Sequence, residues 1–305
     1  MKILIIPDCH GQSDWKDAVK NFKYDKVVFL GDYFDNFEDK FKGEFAAKNF
    51  EDICSFIRED TDNRILLAGN HDIENYYFRG GCSGFQSAMY DRYHELLVKN
   101  KDILNAVCEL DGFVFSHAGV SYIWLDNIKK IEEERTKRFF DLDKADYDKL
   151  SDIDKINLAF KSMLDGKVYK DWFCFYRWDS SCCGENTYQS PLWIRPRSLL
   201  DASAFDKQVV GHTEYCLYDT VFLKSERMKC LVVTDSPCHN IFKVLDTENY
   251  QEPILIDDFF KMLKSDKKAL YDLKSLKKEK KETLKNLKNA FGEYSEFLYK
   301  NYFEE

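Results

Sequence analysis

The chain reads as an α/β protein, on three observations. Short aliphatic runs alternate with amphipathic helical stretches through the first half. Short strands return in quick succession after residue 207, the pattern of an antiparallel or mixed second sheet. Across 305 residues, 44% are hydrophobic and 16% aromatic, enough to bury a sizeable core and too apolar for a disordered chain.

In order, Lys2 to Ile6 predicts a buried strand, and Ser13 to Phe22 a helix capped by Ser13 or Asp14. Lys26 to Leu30 is a second strand. Glu44 to Arg58 predicts a helix whose apolar face carries Phe45, Ala46, Phe50, Ile53, Cys54 and Ile57. Arg64 to Ala68 is a strand, Phe85 to Lys99 a helix and Phe113 to Ser116 a strand. The acidic stretch 122–190 lacks strong strand runs and reads as an insertion of helices and loops. Gln208 to Val210, Tyr218 to Leu223, Cys230 to Thr234 and Ile241 to Leu245 complete the strands. The domain expected is thus 1–250, followed by an extension over 255–305. There, residues 261–288 hold eleven lysines and four acidic residues, a local +7. Leu284, Leu287, Phe291, Tyr294 and Leu298 make one apolar stripe, which fits first a helix docked on its own domain with a solvated lysine face, and otherwise self-association through the C-terminal helix or a patch for an acidic partner.

The net charge is −9 and the pI about 5.3, so the diffuse basic surface of a nucleic-acid coat is absent. The opening Met-Lys-Ile-Leu-Ile-Ile is too short for a secretory signal, and no run approaches the ~20 apolar residues of a membrane span. Ten scattered cysteines with no CxxC pair suit free thiols in a reducing cytoplasm. The adjacent pair Cys182-Cys183 is the one place where redox chemistry is conceivable from spacing.

Function is concentrated where strands end. The first strand runs into Asp8-Cys9-His10-Gly11, the second into Gly31-Asp32-Tyr33-Phe34-Asp35, and the third into Gly69-Asn70-His71-Asp72. The Phe113 strand runs into Ser116-His117-Ala118-Gly119 and the Gln208 strand into Gly211-His212-Thr213. Ligands of open α/β sheets collect beyond the carboxyl ends of strands, so five loops are expected to share one edge. Four of the six histidines lie in them; His94, in a helical pattern, and His239, in a loop, fall outside. His, Asp and Asn donors suit Mn, Fe or Zn rather than Ca. A carboxylate such as Asp32 can bridge two ions, an arrangement suited to phosphoryl displacement.

The ordered set DxH, GDxxD, GNHD, a His followed by small residues, and GH resembles the calcineurin-like metallophosphoesterase superfamily over about residues 1–245. That resemblance implies a four-layer α-β-β-α sandwich with two divalent metal ions. Gly211-His212-Thr213-Glu214 lacks the second histidine of the GHxH motif seen in many members, which resembles the phosphoprotein phosphatase branch. Carried over by motif, Asp8, His10 and Asp32 hold one metal, and Asp32, Asn70, His117 and His212 the other. His71 is the general acid, oriented by Asp35. The branch usually continues GDxxDRG with a phosphate-gripping arginine, whereas Asn36-Phe37 follows Asp35 here. Arg195, in Trp193-Ile194-Arg195-Pro196, and Arg177 are the candidate replacements, because a guanidinium binds phosphate in bidentate fashion. The implied activity is hydrolysis of phosphate monoesters by a hydroxide held between the ions, with a phosphoprotein or small phosphoester as substrate. A protein Ser/Thr phosphatase leads. A dinucleotide polyphosphate hydrolase is the alternative, ahead of a nuclease or a non-catalytic scaffold.

Overall fold

The aliphatic runs do form strands, and the strands assemble into two sheets. The computed structural model describes residues 1–77, 82–167, 175, 185–213, 220–234 and 242–265. In chain order the first half holds β1 (Lys2–Ile6), α1 (Trp15–Asn21), β2 (Lys26–Phe29), α2 (Glu44–Arg58), β3 (Arg64–Leu67), α3 (Asn70–Tyr77), α4 (Tyr90–Lys99), β4 (Leu104–Asn105), β5 (Val107–Leu110) and β6 (Phe113–Ser116). Helices α5 (Tyr122–Lys129), α6 (Glu133–Phe140), α7 (Lys144–Lys149), α8 (Asp152–Leu164) and α9 (Pro196–Ala202) follow. The chain then adds β7 (Lys207–Val210), β8 (Val221–Lys224), β9 (Cys230–Val233), β10 (Lys243–Asp246), β11 (Ile254–Leu255) and α10 (Ile256–Ser265).

One sheet has the order β10-β1-β2-β3-β4, with β1 to β4 parallel and β10 antiparallel at the edge. The other, β11-β8-β9-β7-β6-β5, is mixed: β6, β7 and β9 run parallel, while β5 and β8 run against them. The central strands β1, β2, β6, β7 and β9 are largely aliphatic or aromatic runs buried on both faces, as sheets covered on both sides require. Side chains alternate between the two faces. Ile3, Ile5, Val28, Leu30 and Leu67 meet Phe113, Phe115, Val209, Phe222 and Val232 between the sheets. Leu4, Ile6, Val27, Phe29 and Leu66 face outward onto α1, α2 and the helices that follow. Val210, Leu223, Leu231 and Val233 face the opposite way, onto Leu199 of α9 and Phe259 of α10. The layers are therefore helix, sheet, sheet, helix.

Several elements depart from expectation. Helix α1 is shorter, and Asp14 stands at its start with helical backbone and no side-chain cap. The Phe85 to Lys99 helix is a single 3-10 turn, Ser87–Met89, leading into α4. On α2 the buried stripe is Ala46, Ala47, Phe50, Ile53, Cys54 and Ile57, and Phe45 is exposed instead. Strands β4 and β5 and helix α3 were not legible. Helix α3, Asn-His-Asp-Ile-Glu-Asn-Tyr-Tyr, has no apolar periodicity, yet every residue from Asn70 to Tyr76 is buried. Its burial is set by the site it carries rather than by an apolar face. The 122–190 stretch is helical through Leu164. Ser121 and Ser151 cap α5 and α8 with their hydroxyls, the role small hydroxyl residues take at helix starts. Asn157 of α8 stitches the edge: its Oδ1 accepts from the N–H groups of Ala106 and Val107, and its Nδ2 donates to the Val107 carbonyl. The apolar stripe of 284–298, its proposed self-association, and Cys182-Cys183 lie outside the described residues. No helix among the described residues is long and apolar enough to cross a membrane.

Ile5 is wholly buried between the sheets. We expect Ile5→Ala to destabilise the fold by about 2–5 kcal/mol in urea unfolding, with an unchanged slope, because a cavity replaces interlocked side chains.

Candidate active site

The parallel strands deliver their loops to one place. The His10 N–H donates to the Asp32 carbonyl at 2.7 Å and the Gly11 N–H to the Tyr33 carbonyl at 2.9 Å, joining the loops after β1 and β2. The His71 N–H donates to Asp32 Oδ1 at 2.9 Å, adding the loop after β3. The Gly211 N–H donates to the His117 carbonyl at 2.8 Å, and the His212 N–H to Asp8 Oδ1 at 3.3 Å, adding the loops after β6 and β7. All five sequence fragments therefore share one network.

The backbone here is unusual. Among the described residues, six non-glycine positions have positive φ, and four of them are His10, Asp32, Asp35 and His212. Such conformations are held only where the surroundings over-determine them, and they concentrate at functional sites. Two glycines allow the close approach. A Cβ on Gly31, at φ +116°, would stand 2.3 Å from the Gly69 nitrogen, and one on Gly69 would stand 2.1 Å from Asp32 Oδ1.

At the centre is the buried carboxylate of Asp32. Its Oδ2 lies 3.5 Å from His117 Nε2 and 3.9 Å from both His10 Nε2 and His71 Nε2. His117 Nε2 is 2.7 Å from Asn70 Oδ1 and 3.1 Å from His212 Nδ1. Two groups of donor atoms result: His10, Asp32 and His71, and Asp32, His117 and His212. Asp32 belongs to both. The outer ring nitrogens are already assigned, since His10 Nδ1 contacts the Phe34 carbonyl at 2.9 Å and His117 Nδ1 the Leu30 carbonyl at 3.0 Å. Each ring thereby turns its Nε2 inward, the arrangement that fixes a metal-binding imidazole. Mixed imidazole and carboxylate donors converging on one point fit divalent transition metals.

Asp8 stands beside these groups rather than within them, 3.6 Å from His117 Nδ1 through Oδ1. Asp8 Oδ1 also accepts from the His212 N–H, so it borders the same donors, and His71 Nε2 lies close to the first group from the side of Asp35. His71 Nδ1 meets Asp35 Oδ2 at 3.1 Å, as the acid–orienter pairing requires. Arg195 is at the start of α9, whose first turn is set by Pro196. Its Nη1 donates to the His212 carbonyl at 2.9 Å and to Thr213 Oγ1 at 3.1 Å, so the guanidinium borders the second group. Arg177 lies outside the described residues. His94 is structural, with Nδ1 2.8 Å from the Tyr76 carbonyl, and His239 lies outside the described residues.

Residues 1–214 match the family model of calcineurin-like phosphoesterases. The chain belongs to that family. This phosphoesterase also resembles solved phosphatase structures at low identity. A cold-active protein-tyrosine phosphatase of a psychrophile Shewanella species is 15% identical, with 81% of this chain and 75% of that one covered and a TM-score of 0.49. A point mutant of a cold-active protein tyrosine phosphatase is 16% identical, covering 77% and 71%, with a TM-score of 0.47. A Saccharomyces cerevisiae protein serine/threonine phosphatase with similarity to human phosphatase PP5 is 13% identical, covering 77% and 67%, with a TM-score of 0.39. No curated protein sequence gives a significant match.

Within the phosphoesterase site, protonation is divided. Burial pushes the His117 imidazole below its ordinary value, as it does His10 with the neighbouring His71 adding to it. Burial and then the Arg195 charge push His212 well below. These three rings are neutral and offer lone pairs. His71 goes the other way. Burial lowers it, but the Asp32 charge and the Asp35 hydrogen bond outweigh burial and bring it to about 9. Asp32 itself is opposed by burial, yet the neighbouring imidazoles of His117, His71 and His10 and the His71 N–H hold it below the usual carboxylate range.

Two residues had roles the sequence did not disclose. Asp72, wholly buried, accepts the N–H groups of Gly69, Asp32 and Tyr33 at 2.8, 2.9 and 3.0 Å. It clamps the loop after β3 to the loop after β2, and its place in Gly-Asn-His-Asp was the available signal. Asn36, standing where the family arginine is expected, is spent on the loop: its Nδ2 donates to the His10 carbonyl at 2.6 Å and its Oδ1 accepts from the Glu38 N–H.

Because a methyl on Gly69 would collide with Asp32 Oδ1, Gly69→Ala must displace the shared carboxylate. We expect at least about a tenfold loss of divalent-metal affinity by calorimetry, with the far-UV circular dichroism unchanged.

Proposed function

We propose that this phosphoesterase is a dinuclear-metal phosphomonoesterase, and that its substrates are phosphoserine and phosphothreonine proteins. The observation that carries the reading is Asp32, one buried carboxylate common to both groups of metal-binding side chains. Asp8, His10 and Asp32 would hold one ion, and Asp32, Asn70, His117 and His212 the other, with Mn favoured over Fe or Zn. When bound, such a pair of ions supplies a water of lowered pKa and positive charge for the phosphoryl oxygens.

The chain's own groups do the rest. His71 holds a proton on Nε2, 3.9 Å from Asp32 Oδ2, and delivers it to the leaving oxygen. Asp35 fixes the ring and stabilises the imidazolium through Nδ1. Arg195, anchored to the His212 carbonyl and Thr213, presents its guanidinium at the rim to grip the phosphate. The single-histidine Gly211-His212-Thr213 turn supports the phosphoprotein phosphatase branch. The free thiols of Cys9, Cys54, Cys82, Cys108 and Cys230 support work in a reducing compartment, the cytoplasm.

Asp32→Ala should bind fewer than two Mn ions per chain by elemental analysis; two tightly held ions in that variant contradict the bridging role. His71→Ala should keep both ions and lose roughly 10²–10⁴-fold on a phosphoserine peptide, while p-nitrophenyl phosphate, whose leaving group needs little protonation, suffers far less. Parallel turnover of diadenosine tetraphosphate decides against the dinucleotide reading if it is slower than the phosphopeptide.

A further inference from the structure

The His71–Asp35 pair has a third member. Asn75 lies one helical turn after His71 on α3, so its side chain falls on the same face. It is wholly buried. Its Nδ2 donates to Asp35 Oδ2 at 2.8 Å and to the His71 carbonyl at 3.1 Å. The first bond goes to the same carboxylate oxygen that meets His71 Nδ1. Asp35 Oδ1 is buried and has no hydrogen-bond partner among the described residues. The orientation of the Asp35 carboxylate therefore rests on Oδ2, shared between His71 and Asn75.

Asp35 also needs holding. It belongs to the loop after β2, with φ +59°, while His71 rides on α3 after β3. The two sit on different elements, and a carboxylate free to rotate about its side chain would leave the imidazole without a fixed partner. Asn75 links them, since it is rooted in the His71 helix and donates to the Asp35 oxygen.

We infer that Asn75 is the positioning residue of the acid pair, locking the Asp35 carboxylate onto His71 Nδ1 so that Nε2 points at the leaving oxygen. The inference rests on the reading of His71 as the acid. Asn75→Ala removes both donors; Asn75→Asp keeps the shape, removes the donors and sets a second carboxylate against Asp35. In the Mn-loaded full chain we expect kcat on a phosphoserine peptide to fall about tenfold or more, and further for Asn75→Asp, with KM unchanged and p-nitrophenyl phosphate turnover within about threefold of wild type. Mn content should stay at the wild-type value. In the His71→Ala background, Asn75→Ala should cost less than about twofold more, because the two act as one unit.

Equal losses on both substrates, or a full additional loss without His71, overturn the inference. If His71→Ala shows no leaving-group selectivity, it is the acid reading that fails. The positioning claim is then judged in the metal-free protein by proton NMR. There the downfield His71 Nδ1 proton, present in wild type, should vanish in either Asn75 variant, and its persistence overturns the claim. Should neither variant fold, wild type decides it: the Asn75 side-chain amide protons should exchange slowly and shift in Asp35→Ala, and unprotected, unshifted amide protons overturn it.

Discussion

The site depends on burying one negative charge. Asp32 is almost inaccessible, at 2% exposure, and an isolated carboxylate in such a place is strongly disfavoured. It stays ionised because three imidazoles and the His71 N–H surround it. Nearly every other local feature serves that arrangement. The left-handed backbone at Asp32 turns the carboxylate inward, and Gly31 and Gly69 remove the Cβ atoms that would keep the loops apart. Asp72 ties the same loops from beneath through three backbone N–H groups. Two sheets are needed because no single sheet supplies five loops at one edge. The first brings Asp8, His10, Asp32 and Asn70, and the second brings His117 and His212.

Much of this was legible in the sequence, for a physical reason. A loop that follows a parallel strand lies at a predictable edge, so the strand pattern alone assigns the polar residues after five apolar runs to one place. Strands β1, β2, β3 and β6 also read cleanly, because both of their faces are buried and their runs are unbroken. What was hidden is equally physical. Helix α3 carries polar residues on every side, and periodicity is blind to a helix buried by its function. The two-residue strand β4 is too short to leave a pattern, and β5 is only partly buried, with Glu109 exposed on the same face as buried Val107. Contacts such as Asp72 to the Asp32 N–H, or Asn75 to Asp35, are made between loops distant in sequence. Spacing alone does not encode them.

Protonation gives the site its division of labour. Rings of the same chemistry sit within a few ångströms, yet His10, His117 and His212 are driven toward neutrality and His71 toward the cation. Burial acts on all four alike. The difference is the carboxylate each faces: His71 has both Asp32 and the hydrogen-bonded Asp35, whereas His212 has the Arg195 cation at its back. Cations held at Asp32 would oppose that carboxylate's pull on His71. The hold on the His71 proton would then rest on Asp35, which gives the orientation of Asp35 its weight in the proposed mechanism.

Asn36 stands where the family resemblance expects an arginine, and it serves the loop instead. Asn36 cannot reach outward, because both ends of its amide are committed to the loop, one to the His10 carbonyl and one to the Glu38 N–H. An arginine there has no acceptor for the Glu38 N–H, and one aimed outward would leave the His10 carbonyl, taking a support from the left-handed turn at His10. A positive charge beside the second donor group comes instead from Arg195 at the start of α9, whose Nη1 donates to the His212 carbonyl. The Arg195 charge adds to burial in pushing the His212 imidazole below its ordinary value, so the guanidinium that we propose grips phosphate would also keep that ring a lone-pair donor.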